Sequence, residues 1–235
     1  MPSPSALVQA ALSLPQWVIT SWPGSVGRKL RAIYWKQRLG AMGKNCVIDV
    51  GVEIANPSYV FLGDNVWLDS YAQLIAGPPA HPERVKVKTV PGYRGREGEI
   101  HIGSNTHIGK FCVLQGHGGI WIGRDTTITT HAVVYSLTHH HRMGPSTGIP
   151  PYDRVMKFSS MSPIDEQALV ASPVIIEDAT AVGLNSVILP GSVIGRYSWI
   201  GASSLVRGTI PPGVIAAGNP VQIIKQRFET GAGSP

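Results

Sequence analysis

Histidines are the residues of this sequence best suited to chemistry. Eight are present, and three of them stand consecutively in the segment YSLTHHHRM as His139, His140 and His141. A neutral imidazole accepts a proton readily near pH 7, which is what a hydroxyl group needs from a base before it can act as a nucleophile. The sequence therefore offers candidates for a general base, provided that a scaffold holds one of them beside a substrate.

The scaffold is indicated by a six-residue repeat. Small residues lie two positions before most of the repeated aliphatic residues, and glycine often follows them, as at Gly183, Gly195 and Gly201. The same pattern appears upstream around Leu62 to Leu74, Ile102 to Leu114 and Ile122 to Val134, with Ile48 and Ile54 as its start. The clearest run of aliphatic positions is Ile176, Val182, Ile188, Ile194, Ile200 and Val206, and the small residues in step with it are Thr180, Ser186, Ser192, Ser198 and Ser204.

A period of six matches neither an α-helix nor the simple alternation of a strand. It predicts short strands separated by turns, each strand forming one side of a triangular coil with its aliphatic residue inside. Small residues are expected beside the corners, and glycine is expected to permit the turn backbone. Because one such unit cannot bury its own apolar face, the coils must stack into a solenoid.

These motifs resemble those of the hexapeptide-repeat acyltransferases. The resemblance covers roughly residues 44 to 228 and is strongest in VIIEDATAVGLNSVILPGSVIGRYSWIGASSLV and IPPGVIAAGNPVQIIKQR. It implies an all-β solenoid, the left-handed parallel β-helix, with an N-terminal helical segment, two extruded loops and a short C-terminal helix. It also implies transfer of an acetyl group from acetyl-CoA to a sugar hydroxyl.

The resemblance assigns the catalytic base to the start of an extruded loop. The matching residue is His139, or His140 if the loop begins one residue later, whereas His141 is expected to be solvated. The family mechanism implied is direct transfer without an acyl-enzyme. The backbone N–H of Leu184 would then meet the developing oxyanion, because such a charge requires a preorganised donor.

The donor site implied by the family lies along the outside of the solenoid. Ala202 and the corner Arg207-Gly208 match the positions that hold the pantetheine arm. Arg207, Lys225 and Arg227 supply cations for the phosphates of CoA. Gln222 is a departure, since relatives often carry Lys or Arg there.

The acceptor site is less clearly marked. Gly109 and His117 stand where the thiogalactoside branch has sugar-binding Asn and Asp, so a different acceptor is expected. The segment LQGHGGIWIG is more similar to the branch that acetylates units of cell-surface polysaccharide or lipopolysaccharide. His117, Tyr135 and His140 are the candidates for acceptor binding.

Three parts of the chain are predicted: a helical segment over 1–45, the β-helix over 46–218 and a C-terminal helix and tail over 219–235. Residues 77–99 and 139–173 lack the repeat and are predicted as extruded loops. Residues 25–42 carry Val26, Leu30 and Ile33 at helical spacing, together with several basic residues. This helix either caps the first coil or, preceded by Trp17 and Trp22, lies on a membrane surface.

Composition agrees with a turn-rich fold, since the chain has 27 glycines, 19 prolines and only 14% charged residues. A net charge of +6 suggests a polyanionic partner, but no nucleic-acid-binding motif accompanies it. Cys46 and Cys112 are expected to be buried thiols in a reducing compartment. Neither a secretory signal nor a transmembrane anchor is indicated, which favours a cytoplasmic protein with peripheral contact at the inner face of the membrane as an option.

Three alternatives remain. An N-acyltransferase acting on an amino-sugar nucleotide would use the same scaffold and donor, and a non-catalytic interaction solenoid would use the scaffold alone. A γ-class carbonic anhydrase shares the solenoid, but His107, His117, His131 and His139 do not have the spacing of its zinc ligands, so no metal is expected. By resemblance, the functional unit is a homotrimer with active sites between subunits.

Overall fold

The repeat forms a three-sided solenoid. The computed structural model describes residues 17–141 and 155–228. The first face contains β1 (Ala41–Met42), β4 (Val60–Leu62), β8 (Ile100–Ile102), β11 (Ile120–Ile122), β16 (Val174–Ile176), β19 (Val193–Ile194) and β22 (Thr209–Ile210). The second contains β2 (Val47–Ile48), β5 (Trp67–Leu68), β9 (His107–Ile108), β12 (Thr127–Ile128), β17 (Ala181–Val182), β20 (Trp199–Ile200), β23 (Val214–Ala217) and β24 (Gln222–Gln226). The third contains β3 (Glu53–Ala55), β6 (Gln73–Ile75), β10 (Val113–Gln115), β13 (Val133–Tyr135), β18 (Val187–Ile188) and β21 (Leu205–Val206).

Neighbouring strands within each face are parallel, apart from the last pair of the second face. Register follows the repeat directly: Ile128 pairs with Val182, and Val182 pairs with Ile200. The predicted left-handed parallel β-helix is confirmed.

The aliphatic residues of the repeat fill the core. The side chains of Ile128, Val182, Ile188 and Ile200 have no exposed surface. The small residues between them are buried as well, and their hydroxyl groups bind the coils together. Ser186 Oγ, for example, donates to the Gly201 carbonyl oxygen at 3.1 Å and accepts from the Ser204 N–H at 3.2 Å. These contacts satisfy polar groups that would otherwise be buried without partners.

The glycines of the repeat are required for a reason other than the turn backbone that the sequence suggested. The left-handed backbone at the corners is adopted by residues such as Asn185 (φ 56°) and Ser203 (φ 57°), not by Gly183 or Gly201. A Cβ on Gly183 would lie 2.5 Å from the Ala202 nitrogen of the next coil. Glycine is needed there because adjacent coils approach closely.

The two extruded loops meet outside the solenoid. Strand β7 (Val85–Val87) of the first pairs in parallel with β15 (Leu169–Ala171) of the second, and β15 pairs antiparallel with β14 (Leu137–His139). Short 3₁₀ helices span Pro57–Tyr59, Pro82–Arg84 and Ile164–Glu166. The three-stranded outer sheet was not predicted, and residues 142–154 of the second loop lie outside the described residues.

The N-terminal helix α1 (Gly24–Lys36) packs over the first coil, following another helical stretch at residues 17–21. Arg31 is buried and its Nε donates to the Ile48 carbonyl oxygen at 2.7 Å. Tyr34 and Trp35 join the core. The capping role is therefore observed and is provided by these residues, whereas Val26, Leu30 and Ile33 face outward.

The predicted C-terminal helix is wrong. Gln222–Gln226 is a strand that reverses direction and pairs with β23, for example Lys225 with Ile215. A short apolar run such as Ile223-Ile224 suits either structure, and the open edge of β23 decides in favour of a strand by supplying backbone partners. Within residues 17–141 and 155–228, no helix is both long and apolar enough to cross a bilayer.

Candidate active site

A cavity of about 520 Å³ lies where the second loop leaves the solenoid. Three of the predicted site residues line it: His117, Tyr135 and His139. Its wall comes from the third face, from the outer sheet and from both loops. The lining residues are Pro79, Ala80, His81, Gln115, His117, Tyr135, Leu137, Thr138, His139, Ser160, Ile164, Gln167 and Leu169. Sequence positions far apart are therefore brought to one corner of the solenoid.

His139 ends strand β14 and is half-buried. Its Nε2 lies 3.2 Å from Oε1 of Gln167, whose own Nε2 donates to the Ser162 carbonyl oxygen at 2.6 Å. Because a carbonyl oxygen can only accept, the Gln167 amide is oriented with its oxygen toward His139. His139 Nε2 then carries the hydrogen, and its Nδ1 keeps a lone pair that can accept a proton.

His117 is held in a second orientation. Its Nδ1 donates to the Gly77 carbonyl oxygen at 2.8 Å, which leaves Nε2 as an acceptor when the ring is neutral. Tyr135 is 39% exposed at the end of β13. Both side chains are therefore available to a ligand that enters the cavity.

His140 does not line the cavity. Its backbone N–H donates to the Ala168 carbonyl oxygen at 2.8 Å, and its ring stacks on His141 with centroids 4.8 Å apart. The prediction that His140 binds the acceptor is not supported by its place in the described residues. His101 and His131 lie elsewhere, in aromatic stacks on the outside of the coils.

Sequence reasoning missed five polar residues of this cavity: His81, Gln115, Thr138, Ser160 and Gln167. Gln115 belongs to the repeat at β10, and its Oε1 accepts from the Leu137 N–H at 3.1 Å. His81 and Gln167 lie in the loops, where no periodic signal exists. Only the pairing of the outer sheet, between segments some 80 residues apart in sequence, brings them together.

Leu184 and Ala202 stack in adjacent coils at another corner. Strands β18 and β21 pair Val187 with Leu205, which places Leu184 beside Ala202 and above Thr130. Leu184 is half-exposed, and neither its N–H nor that of Ala202 has a partner among the described residues. These amides can therefore donate to a ligand on the surface.

Arg207 and Gly208 lie on the other side of the same face. The pairings of β13, β18 and β21 place Arg207 two coils beyond Tyr135. Arg207 is exposed, and Gly208 has φ of 86°, a conformation that suits glycine. Two strand spacings amount to about 10 Å, so a long ligand could reach both residues.

The two remaining cations differ in their surroundings. Lys225 is exposed on β24. The Arg227 guanidinium donates to the Tyr197 carbonyl oxygen at 2.8 Å and lies 3.4 Å from that of Ala179. Arg227 therefore already stabilises a corner of the solenoid, which weakens its predicted role in phosphate binding.

Within a single chain, His139 lies far from the N–H groups of Leu184 and Ala202. Leu184 is level with Thr130, and the extended run from Ala132 to Tyr135 lies between Thr130 and the cavity. At about 3.3 Å per residue, this run alone spans about 10 Å. His139 and the Leu184 N–H thus lie at opposite ends of one face.

Other reactive groups lie away from the cavity. Burial raises the pKa of the Cys112 thiol to about 11 and also raises that of Cys46, as expected for thiols without a catalytic task. Among residues 17–141 and 155–228, no group of three or more His, Cys, Asp or Glu side chains is arranged to hold a metal ion.

No family model matches the chain. It is 31% identical over 133 residues to a lipopolysaccharide biosynthesis O-acetyl transferase, WbbJ of Escherichia coli, described as putative, covering 55% of this chain and 61% of WbbJ. It is 31% identical over 136 residues to the probable acetyltransferase Rv3034c of Mycobacterium tuberculosis, covering 55% and 45%. A 59-residue stretch is 44% identical to a 2,3,4,5-tetrahydropyridine-2,6-dicarboxylate N-acetyltransferase of Staphylococcus aureus, covering 25% of each chain. The matches span from a quarter to about three-fifths of these relatives.

Solved structures share the fold. The N-acyltransferase AntD from Bacillus cereus, in complex with dTDP and 3-hydroxybutyryl-CoA, matches with a TM-score of 0.63 at 22% identity, covering 84% of this chain and 88% of AntD. A hexapeptide-repeat-containing acetyltransferase from Vibrio cholerae matches with a TM-score of 0.53 at 15% identity, covering 97% and 96%. The fold and its repeat define a hexapeptide-repeat protein. In sequence, the chain is similar to acetyltransferases over about half of its length.

Proposed function

We propose that the protein is an O-acetyltransferase that moves an acetyl group from acetyl-CoA to a hydroxyl group of a saccharide, as part of a cell-surface polysaccharide or its precursor. The observation that carries the proposal is the orientation of His139 by Gln167 at the wall of a cavity. The sequence relation to WbbJ supports the saccharide class.

His139 acts as the general base in this mechanism. An alcohol attacks a thioester slowly while it keeps its proton, so Nδ1 of His139 takes that proton as the oxygen attacks the thioester carbonyl carbon. The C–S bond then breaks, and the proton on His139 passes to the leaving thiolate of CoA. The products are the acetyl ester and CoA, and His139 returns to its neutral form.

Two sets of neighbours support this step. Gln167 holds the imidazole in the tautomer that has its lone pair on Nδ1. His117 Nε2, Tyr135 and Gln115 can hydrogen-bond the hydroxyl groups of the acceptor, which is consistent with their places around the cavity. These groups would fix which hydroxyl faces His139, since a preformed pocket selects by a few placed polar groups.

The donor suits the outer corners of the solenoid. The unpaired N–H groups of Leu184 and Ala202 fit the thioester oxygen and an amide of the pantetheine arm, respectively. Arg207 and Lys225 are exposed cations that fit the phosphates. In the transition state, the Leu184 N–H would stabilise the charge that develops on the carbonyl oxygen.

The separation of His139 from Leu184 within one chain supports a homotrimer with sites between subunits. A second copy placed against the third face would bring its own Leu184 corner to the His139 corner of the first. Half-buried aliphatic side chains on the outside of that face, Val113, Val133 and Val187, provide a surface that suits such packing.

Thiol release from acetyl-CoA tests the proposal, with a panel of hexoses, amino sugars and nucleotide sugars as acceptors. We expect acceptor-dependent release by the full chain and a loss of about 10² to 10⁴ in kcat/KM for His139→Ala. His141→Ala is the matched control, since this residue belongs to the same run but not to the cavity. Equal activity of both variants would contradict the role of His139, and no release with any acceptor would favour a non-catalytic solenoid.

N-acylation of an amino-sugar nucleotide is the second candidate. The 44% identity to an N-acetyltransferase favours acylation of a nitrogen, but it covers only a quarter of the chain, and that relative is named for a dicarboxylate and not for a sugar. A neutral amine attacks a thioester without a general base, so His139→Ala would then have a small effect at a pH where the amine is unprotonated. Comparing matched hydroxy and amino acceptors as the pH is raised separates the two reactions.

A further inference from the structure

The N-terminal cap leaves an apolar surface exposed. Val26, Leu30 and Ile33 lie on one side of α1, with 58%, 41% and 61% of their surface accessible. Two tryptophans that precede the helix are at least half-exposed. Together these residues form the N-terminal patch: Trp17, Val18, Trp22, Val26, Leu30 and Ile33.

Cations border this patch. Lys29 is three residues after Val26 and four before Ile33, and Lys36 is three residues after Ile33, so both lie beside the apolar stripe. Both lysines are exposed, and the patch itself contains no acidic residue. Their charge is therefore available to a negatively charged partner.

The other basic residues of α1 serve the fold. Arg28 binds both carboxylate oxygens of Asp49, at 2.7 and 3.0 Å, and Trp67 Nε1 donates to Asp49 Oδ2 at 3.0 Å. Burial alone would raise the pKa of Asp49, but the bonds from Arg28 and Trp67 outweigh it and lower that pKa. The helix thus has a structural basic side, which includes buried Arg31, and a separate side with exposed apolar residues and lysines.

A lipid bilayer suits the N-terminal patch better as a partner than the groove of another protein does. Tryptophan is enriched at the membrane–water interface, and helices that bind there combine an apolar stripe with lysines that reach the headgroups. A cavity of about 520 Å³ adjoins Trp17, and its lining includes Trp35, Val52 and Ile54 together with the polar Thr20 and Glu53. The net charge of +6 favours an anionic surface.

We propose that the N-terminal patch binds the surface of a bilayer that contains anionic phospholipids. The apolar side chains enter the interface, while Lys29 and Lys36 pair with lipid phosphates. This binding does not depend on acetyl transfer, and the two are measured separately.

Vesicle co-sedimentation of the full chain tests the proposal, with phosphatidylcholine vesicles that contain or lack phosphatidylglycerol. We expect binding to the anionic vesicles that weakens as salt is raised. Ile33→Glu should lower binding at least about tenfold, because it removes an apolar anchor and adds a repelled charge. Lys29→Glu should lower it by about fivefold or more.

Ile224→Glu is the matched control. Ile224 is also 61% exposed, but it lies on β24 at the other end of the solenoid. Equal loss of binding in Ile33→Glu and Ile224→Glu, or no binding by the wild-type chain, would overturn the proposal. Thermal unfolding checks that both variants keep the wild-type stability, as expected for exposed positions.

Two other occupants of the patch give distinct results. If a second copy covers it, Ile33→Glu lowers the mass measured by sedimentation, and the wild-type chain does not bind vesicles. If residues 1–16 cover it, only a chain that lacks them binds. Either result would overturn the proposal for the full chain.

Discussion

The coils and the outer sheet are built on opposite principles. In the coils, each strand pairs with strands of the next coils, and the inward aliphatic residues have almost no exposed surface. In the outer sheet, β15 of the second loop pairs with β14 on one side and with β7 of the first loop on the other. The buried apolar cluster beside it consists, among the described residues, of Met156 and Ala168. The comparison indicates a rigid support that carries a less stable, site-bearing attachment.

Replacing a core residue of the coils should have the largest effect on stability. Ile128→Ala removes most of a fully buried side chain between Ile108 and Val182, and we expect a loss of about 3 to 4 kcal/mol in the free energy of unfolding. Denaturant unfolding measures it. A loss below about 1 kcal/mol would mean that the coils are no better packed than the outer sheet, and the comparison would fail.

The junction between a coil and the first loop should show an intermediate, pH-dependent effect. Glu99 is buried, and its carboxylate accepts from the Arg96 N–H at 2.8 Å, the Arg96 guanidinium at 2.7 Å and His101 at 2.8 Å. Burial alone would raise its pKa, but these hydrogen bonds outweigh that effect and lower the pKa to about 2. We expect Glu99→Gln to cost about 2 kcal/mol at neutral pH.

The sign of this effect is fixed by the lowered pKa. Ionised Glu99 stabilises the folded chain above its ordinary pKa, 4.5, and the contribution declines as the pH falls toward about 2. The difference between wild type and Glu99→Gln should therefore shrink by about half or more between pH 7 and about pH 3. A difference that stays constant over that range would remove the carboxylate as the cause.

The smallest global effect is expected in the outer sheet. Val85 is buried in β7, and Val85→Ala should cost only about 1 to 2 kcal/mol, mostly in local stability. Amide hydrogen exchange should speed up in β7, β14 and β15 while the amides of β12 and β17 keep their protection. Equal protection of all five strands in the wild type would contradict the division between support and attachment.

The sequence predicted the coils because their signal is local and repeated. The aliphatic residue at every sixth position from Ile176 to Val206 is buried as expected. The outer sheet was missed because β7 and β15 have no common pattern and meet only in three dimensions. Among the cavity residues, the resemblance identified His117, Tyr135 and His139, whereas Gln115 was missed although it belongs to the repeat. The bond from His139 to Gln167 depends on the fold of a loop.

Amphipathic spacing identified α1 but left open which side of the helix contacts the solenoid. The stripe of Val26, Leu30 and Ile33 faces out, since Arg31 can satisfy the Ile48 carbonyl oxygen at the end of the solenoid and an aliphatic side chain cannot. The resemblance gave the wrong structure for Gln222–Gln226, where the unpaired edge of β23 determined the outcome. The open question and the error both concern the ends of the repeat, where the neighbouring coil is missing.

The two ends of the solenoid are covered by different elements. Helix α1 packs on the first coil, and the reversed strand β24 pairs with the last. A parallel β-helix with bare ends would present the same backbone ladder to every other copy, and end-to-end addition could continue without limit. Here a helix side chain occupies one ladder and an antiparallel strand breaks the repeat at the other. The two closures therefore interrupt the repeat at both ends of the second face, so that another copy meets no parallel continuation of it there.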